Sequence, residues 1–156
     1  MANAPAPHSE ELGEEDLRRI MAAYQQYQAE AEAINQQLGL FQVSIEGCDK
    51  ALTTIKAMGS AEDDQDMLVP IGAGSFIHAK MASKDKVILG VGADVSIEKD
   101  VMDAKTSLEA RRTQLVEGSS KLNETLNKIT QEIGKIEAII TRYEEGATAR
   151  SGNVVQ

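Results

Sequence analysis

The chain has 156 residues, a formal net charge of -9 and one cysteine, and it is 42% hydrophobic but only 3% aromatic, with no tryptophan. That charge excludes nucleic acid and anionic membrane as main partners, because both require concentrated basic surface to displace counterions. A lone cysteine excludes a disulfide framework, and no run of about 18 apolar residues offers a membrane span.

Residues 1–11 contain Pro5 and Pro7 and lack the basic and apolar regions of a signal peptide, so a disordered tail on a cytoplasmic protein is expected. From about 14 to 58 the apolar residues step alternately three and four positions: Leu17, Ile20, Tyr24, Tyr27, Ala31, Ile34, Leu38, Phe41, Ile45, Cys48, Leu52 and Ile55. This is a coiled-coil seam, and at 1.5 Å per residue it predicts a helix roughly 65 Å long that needs a partner. Such a helix is incompatible with a compact globule. Cys48 falls on the seam, where a thiol behaves as a small buried hydrophobe. Gly59 and the acidic run Glu62, Asp63, Asp64 and Asp66 end the helix in a solvated linker that lacks calcium-loop spacing.

The period changes over about 67–98. The segments MLVPIGAGSFIHAKM and VILGVGADVSIEK carry β-branched runs broken at Gly72-Ala73-Gly74 and Gly92-Ala93-Asp94, which predicts two consecutive β-hairpins. Ile77, Ala79 and Met81 fall on one face of their strand and Phe76, His78 and Lys80 on the other, while Val95 and Ile97 alternate with Ser96 and Glu98. One face is expected to be buried. Hairpins of this size are marginal alone and their edges are adhesive, so the sheet is expected to close against hairpins of other chains. Val69, Ile71, Ile77, Ala79, Ile88, Val95 and Ile97 are the expected interface residues. No repeat of the solenoid kind is found.

A second helix is predicted over about 100–145, with Val101, Leu108, Leu115, Leu122, Ile129, Ile136 and Tyr143 at strict sevens and Leu126, Ile133 and Ile140 between them. In its first half the intervening position reads Lys105, Arg112 and Ser119, so packing is expected to loosen toward the hairpins. Residues 146–156 are expected to form a second disordered tail. Helices on either side of the hairpins imply a chain that goes out and back, with Leu17 and Ile20 beside Ile140 and Tyr143 at the tip. The fold class is therefore α+β, mostly helical: a long antiparallel coiled coil whose two central hairpins contribute to an oligomeric β-barrel.

Catalytic chemistry finds no footing. His8 lies in the tail and His78 on a strand without partners, and Gly72-Ala73-Gly74-Ser75 leads into no Lys-Ser/Thr pair or helix start that would cradle phosphate. No enzyme, metal or cofactor is expected.

Helix, two linked hairpins and helix resemble the alpha subunit class of prefoldin (GimC) over roughly 12–145. The similarity is most specific at Val69-Pro70-Ile71-Gly72-Ala73-Gly74 with Ile77 to Lys80, and at Val87 to Glu98 leading through Ile97-Glu98-Lys99 to the second helix. Two hairpins rather than one match the alpha class rather than the beta class. The resemblance implies a hexamer of two alpha and four beta subunits, with a double β-barrel platform and six coiled-coil tentacles. It further implies ATP-independent capture of unfolded proteins between the tips and transfer to a group II chaperonin. Leu17, Ile20, Met21, Ile139, Ile140 and Tyr143 are then the expected client contacts, Met21 and Ile139 foremost because they stand beside the seam. The competing expectation is a tethering coiled coil of another complex, in which Leu17, Ile20, Ile140 and Tyr143 merely complete the seam.

Overall fold

The computed structural model describes residues 13–62 and 64–151, with side chains as far as Gly146. The expected tail 1–11, its His8, Asp63 and residues 152–156 lie outside the described residues. The order of elements is α1 (Glu14–Met58), β1 (Asp66–Gly72), β2 (Ser75–Lys80), β3 (Lys86–Gly92), β4 (Val95–Asp100) and α2 (Val101–Ser151). The fold is mostly helical with a β component.

Glu14, Glu15 and Asp16 open α1, where carboxylates complement the positive end of the helix dipole, and Asp16 Oδ2 accepts the Gly13 N–H at 3.3 Å. The helix ends at Met58, immediately before Gly59. The second helix continues past the expected end near 145 to Ser151. Residues expected in the tail are thus helical here, and the alanines and arginine of Ala147-Thr148-Ala149-Arg150 are residues that favour helix.

Each hairpin is its own two-stranded antiparallel sheet. Two-residue loops, Ala73-Gly74 and Ala93-Asp94, join the strands with positive φ at both loop positions (48° and 73°; 48° and 57°), the type I′ geometry whose twist suits a hairpin. A bulge precedes each loop, between Pro70 and Gly72 and between Gly90 and Gly92. The two hairpins are backbone copies set twenty positions apart: Asp66 pairs Lys80 as Lys86 pairs Asp100, and Gly72 pairs Ser75 as Gly92 pairs Val95. Closing bonds repeat too, from Met81 N–H to Gln65 O and from Val101 N–H to Asp85 O. The sequence hides this duplication because few identities survive in it, among them Gly72/Gly92, Ala73/Ala93 and Ile77/Ile97.

The chain packs as two units, one of α1 up to Leu38 with α2 from Lys121, the other Gly39–Ser120. Within each, the helices run antiparallel. The Tyr24 hydroxyl donates to Glu137 at 2.9 Å in the first unit, and Arg112 Nε donates to Asp49 Oδ1 at 2.6 Å in the second. Every α1 seam residue named above is buried or half-buried, with Ile34, Cys48 and Ile55 the most deeply covered, and so is every α2 residue of the strict sevens.

One expectation fails on α2. Lys105 and Arg112 are exposed, and the seam beside the hairpins runs instead through Ala104, which is 0% exposed, and the half-buried Gly118. Packing there is tight rather than loose: Ile55, Ala104 and Leu108 form a buried cluster against which Ala51, Leu52, Val87, Leu89 and Val101 pack. At Gly118 a Cβ would stand 2.7 Å from Phe41 Cε1, so the ring lies where a side chain would otherwise be. Small residues admit close approach and leave no apolar mark in the sequence.

Candidate functional site

Two surfaces stand out: the hairpins, and the part of the coiled coil farthest along the sequence from them. On the second hairpin, alternation sends Val87, Leu89, Ile97 and Lys99 to one face and Lys86, Ile88, Glu98 and Asp100 to the other. Val87 and Leu89 cover the buried helix cluster. Two polar bonds hold the same hairpin to α2: Lys99 Nζ donates to Ser107 Oγ at 2.9 Å, and Arg111 Nη1 donates to the Gly90 carbonyl at 3.3 Å beside the bulge. Lys86 and Glu98 form an ion pair across the opposite face.

The expected interface residues therefore do not share one face. Val69 pairs with Ile77, and both share a face with Ala79; Val69 and Ala79 are half-buried and Ile77 is exposed. Val95 shares the face of Ile97, and both are exposed. Ile71 sits in the first bulge, also exposed. Ile88 lies on the opposite face from Leu89 and Ile97 and is 76% exposed. Its counterpart on the first hairpin is Leu68, and Phe76 stands on that same face opposite Pro70; both are exposed. Leu68 and Phe76 stand outside the expected interface set, and the alternation gave them no signal, because their face also carries His78 and Lys80. Among the described residues, β1–β2 and β3–β4 do not pair with each other, which leaves strand edges open on both sheets.

All six expected client contacts belong to the unit of α1 up to Leu38 and α2 from Lys121. The Tyr24–Glu137 bond fixes their register, and one turn further along each helix brings the level of Ile20 and Met21 to that of Ile140. Met21 is 41% exposed and Ile139 37%, whereas Leu17, Ile20, Ile140 and Tyr143 are half-buried along the seam.

Tyr24 also carries a pH signature. Its hydrogen bond to the Glu137 carboxylate, with some desolvation and the repulsion of that charge, raises the phenol above its usual value of 10.0. A raised folded-state value means that the bond's stabilisation is fully present below pH 10 and is lost as pH climbs through the raised value. Tyr24→Phe is thus expected to lose less stability than the parent above pH 10 and to differ little in its pH dependence below it. Parallel denaturation series across that range check this, and superimposable slopes would remove the bond from the stability balance.

Among the described residues, no group of three or more His, Cys, Asp or Glu is placed to hold a metal ion, and no helix is long and apolar enough to cross a membrane. Two long helices, packed antiparallel within each unit and joined through a duplicated hairpin, define a class of hairpin-bearing coiled-coil proteins. The family model for the prefoldin subunit matches residues 27–144. The prefoldin alpha subunit of Methanothrix thermoacetophila is 50% identical over 110 residues, covering 70% of this chain and 72% of the relative. That of Methanococcoides burtonii is 38% identical over 130 residues, covering 83% and 94%. A chain in a cryo-EM structure of filamentous PFD from Methanocaldococcus jannaschii superposes with a TM-score of 0.63 at 24% identity, covering 78% of this chain and 98% of that one, a likeness of fold. The chain belongs to the prefoldin family, in its alpha class, and is accordingly a chaperone subunit.

Proposed function

We propose that this chain is the alpha subunit of a cytoplasmic, ATP-independent holdase that captures unfolded proteins at its coiled-coil tips and delivers them to a group II chaperonin. Two copies assemble with four shorter beta subunits, their hairpins closing a shared β-barrel. The observation that carries the reading is the exposure of Met21 and Ile139 beside an otherwise covered seam. At about 25 cal/mol per Å² such small apolar areas hold a client weakly, and several tips acting together give useful avidity while each contact stays reversible.

The test is a Met21→Ser, Ile139→Ser double variant. It is expected to lose most suppression of aggregation of a denatured client while the assembly keeps its mass. Suppression equal to the parent's would remove the two residues from the client surface.

In the assembly, Val69, Ile71, Ile77, Ala79, Ile88, Val95 and Ile97 lie against neighbouring subunits. Because Ile77 and Ile88 stand on opposite faces, Ile77→Asp and Ile88→Asp are made separately, and each is expected to break the oligomer by burying an unpaired carboxylate. Native mass spectrometry reads the result: full mass in either variant means that its face is not covered by a partner.

A further inference from the structure

A cleft in the unit Gly39–Ser120, between the second hairpin and α2, holds two positive charges that the chain itself does not neutralise. Its volume is about 250 Å³, and its walls include Leu89, Gly90 and Val91 of β3, Lys99 of β4, and Leu108 and Arg111 of α2. Lys99 Nζ is anchored on the Ser107 hydroxyl and Arg111 Nη1 on the Gly90 carbonyl, both of them neutral acceptors. The sequence holds 25 acidic residues against 16 basic ones, and Lys86, Lys105, Arg112 and Lys135 each find a carboxylate. Among the described residues, Lys99 and Arg111 find none. The reason is local: Lys99 stands opposite Val87 in the ladder, and the helix positions three and four away from Arg111 are Ser107, Leu108, Gln114 and Leu115. Other cations without a carboxylate, such as Lys50 and Lys56, are exposed, whereas Lys99 is half-buried, where a charge without a counter-charge is costly.

The walls select a carboxylate that arrives on a protein. Val91 lines the same cleft and is 48% exposed. A small hydrated anion gains nothing from covering it, whereas an acidic side chain carried by a folded neighbour covers it as the charges meet. The approach is open as well: among the described residues β3 pairs only with β4, so its other edge is free to take a neighbour. The first hairpin has Ala79 at the position of Lys99 and Pro70 at that of Gly90, so the same group has no seat there.

We propose that Lys99 and Arg111 bind an aspartate or glutamate side chain of a neighbouring subunit that seats against the β3 edge, an electrostatic anchor beside the second hairpin. The proposal rests on the assembly reading above and adds the chemistry by which one neighbour is recognised. Lys99 supplies a point charge, and Arg111 a planar fork whose remaining donors can take both carboxylate oxygens.

The test is carbodiimide coupling of the complex purified through a tag on this chain, which joins a lysine amine directly to a carboxylate in contact with it, read by peptide mass spectrometry. Lys99 is expected to be linked to an Asp or Glu of another subunit. Lys86 and Glu98, 2.9 Å apart, provide the internal control. Coupling of that pair with no link at Lys99, or with a link only inside its own molecule, overturns the anchor. Lys99→Met and Arg111→Met, which keep the stems, are each expected to weaken assembly about tenfold at low salt and to match the parent at about 1 M salt, where screening removes the attraction. A hairpin merely loosened from α2 would weaken assembly equally at both salts, and that result also overturns the anchor. Salt-independent assembly together with calorimetric binding of inorganic phosphate that Lys99→Met abolishes makes the cleft a small-anion site instead. A monomer in native mass spectrometry overturns the assembly reading and the anchor together, whereas full mass without the Lys99 link overturns the anchor alone.

Discussion

Ala104→Asp is expected to detach the second hairpin from the helices and to lower stability by about 3 kcal/mol or more. Ala104 is wholly covered, within a cluster formed with Ile55 and Leu108 and overlaid by Val87 and Leu89 of β3. A carboxylate there would sit among apolar side chains without a partner. It would either remain charged in a poor environment or take up a proton, and both are costly. Ala104→Ser provides the contrast. Ser107 and Thr106 already donate their hydroxyls to carbonyls four residues back, and a serine at 104 could do the same toward Asp100, so its effect should be much smaller. Denaturant unfolding gives the stability change, and hydrogen exchange of the β3 and β4 amides localises it. An Asp variant with parental protection in β3 would mean that the hairpin does not depend on this cluster.

Gly118→Leu is expected to cost about 2 kcal/mol through overpacking. Two effects oppose each other. Replacing a helical glycine relieves up to about 1 kcal/mol of intrinsic penalty, while the new side chain must displace the Phe41 ring, whose Cε1 lies 2.7 Å and Cζ 3.1 Å from the place a Cβ would occupy. A methyl requires only that the ring turn, but an isobutyl group has to push it off the seam. Phe41→Ala alone should also destabilise, by leaving a cavity. The two together should cost less than their sum, because each vacates space the other needs, and a double-mutant cycle measures that coupling. Strict additivity would show that the ring and the glycine do not share space.

Much of this fold was legible in the sequence, for definite reasons. On α1 nearly every buried position holds a large aliphatic or aromatic residue, so the alternation of three and four reads without a gap from Leu17 to Ile55. The hairpin loops were legible because positive φ demands residues that tolerate it, and Gly72, Gly74 and Gly92 mark the places. On α2 the same method erred at Lys105 and Arg112, which are exposed, because the buried Ala104 and half-buried Gly118 leave no apolar mark beside their long stems, whereas Ser119, Leu126, Ile133 and Ile140 at the same spacing are half-buried. In the hairpins the faces were legible only strand by strand. Alternation along one strand says which residues share a face, but relating that face to the next strand requires the loop length and the bulge, which inserts Val91 or Ile71 without a partner. The prominence of Met21 and Ile139 was legible because each is an apolar residue adjoining a seam.

In the proposed assembly, the twenty-position duplication would give this chain a valence of two with distinguishable ends. Like backbones carry unlike side chains: Phe76 against Ser96, His78 against Glu98, Ala79 against Lys99, and Lys80 against Asp100. Two identical adhesive ribbons on one molecule would accept the same neighbour at either place and offer no reason to stop adding. Two ribbons with the same shape and different lettering can each recognise a separate neighbour, so closure can be written into a chain that a plain copy would leave open-ended.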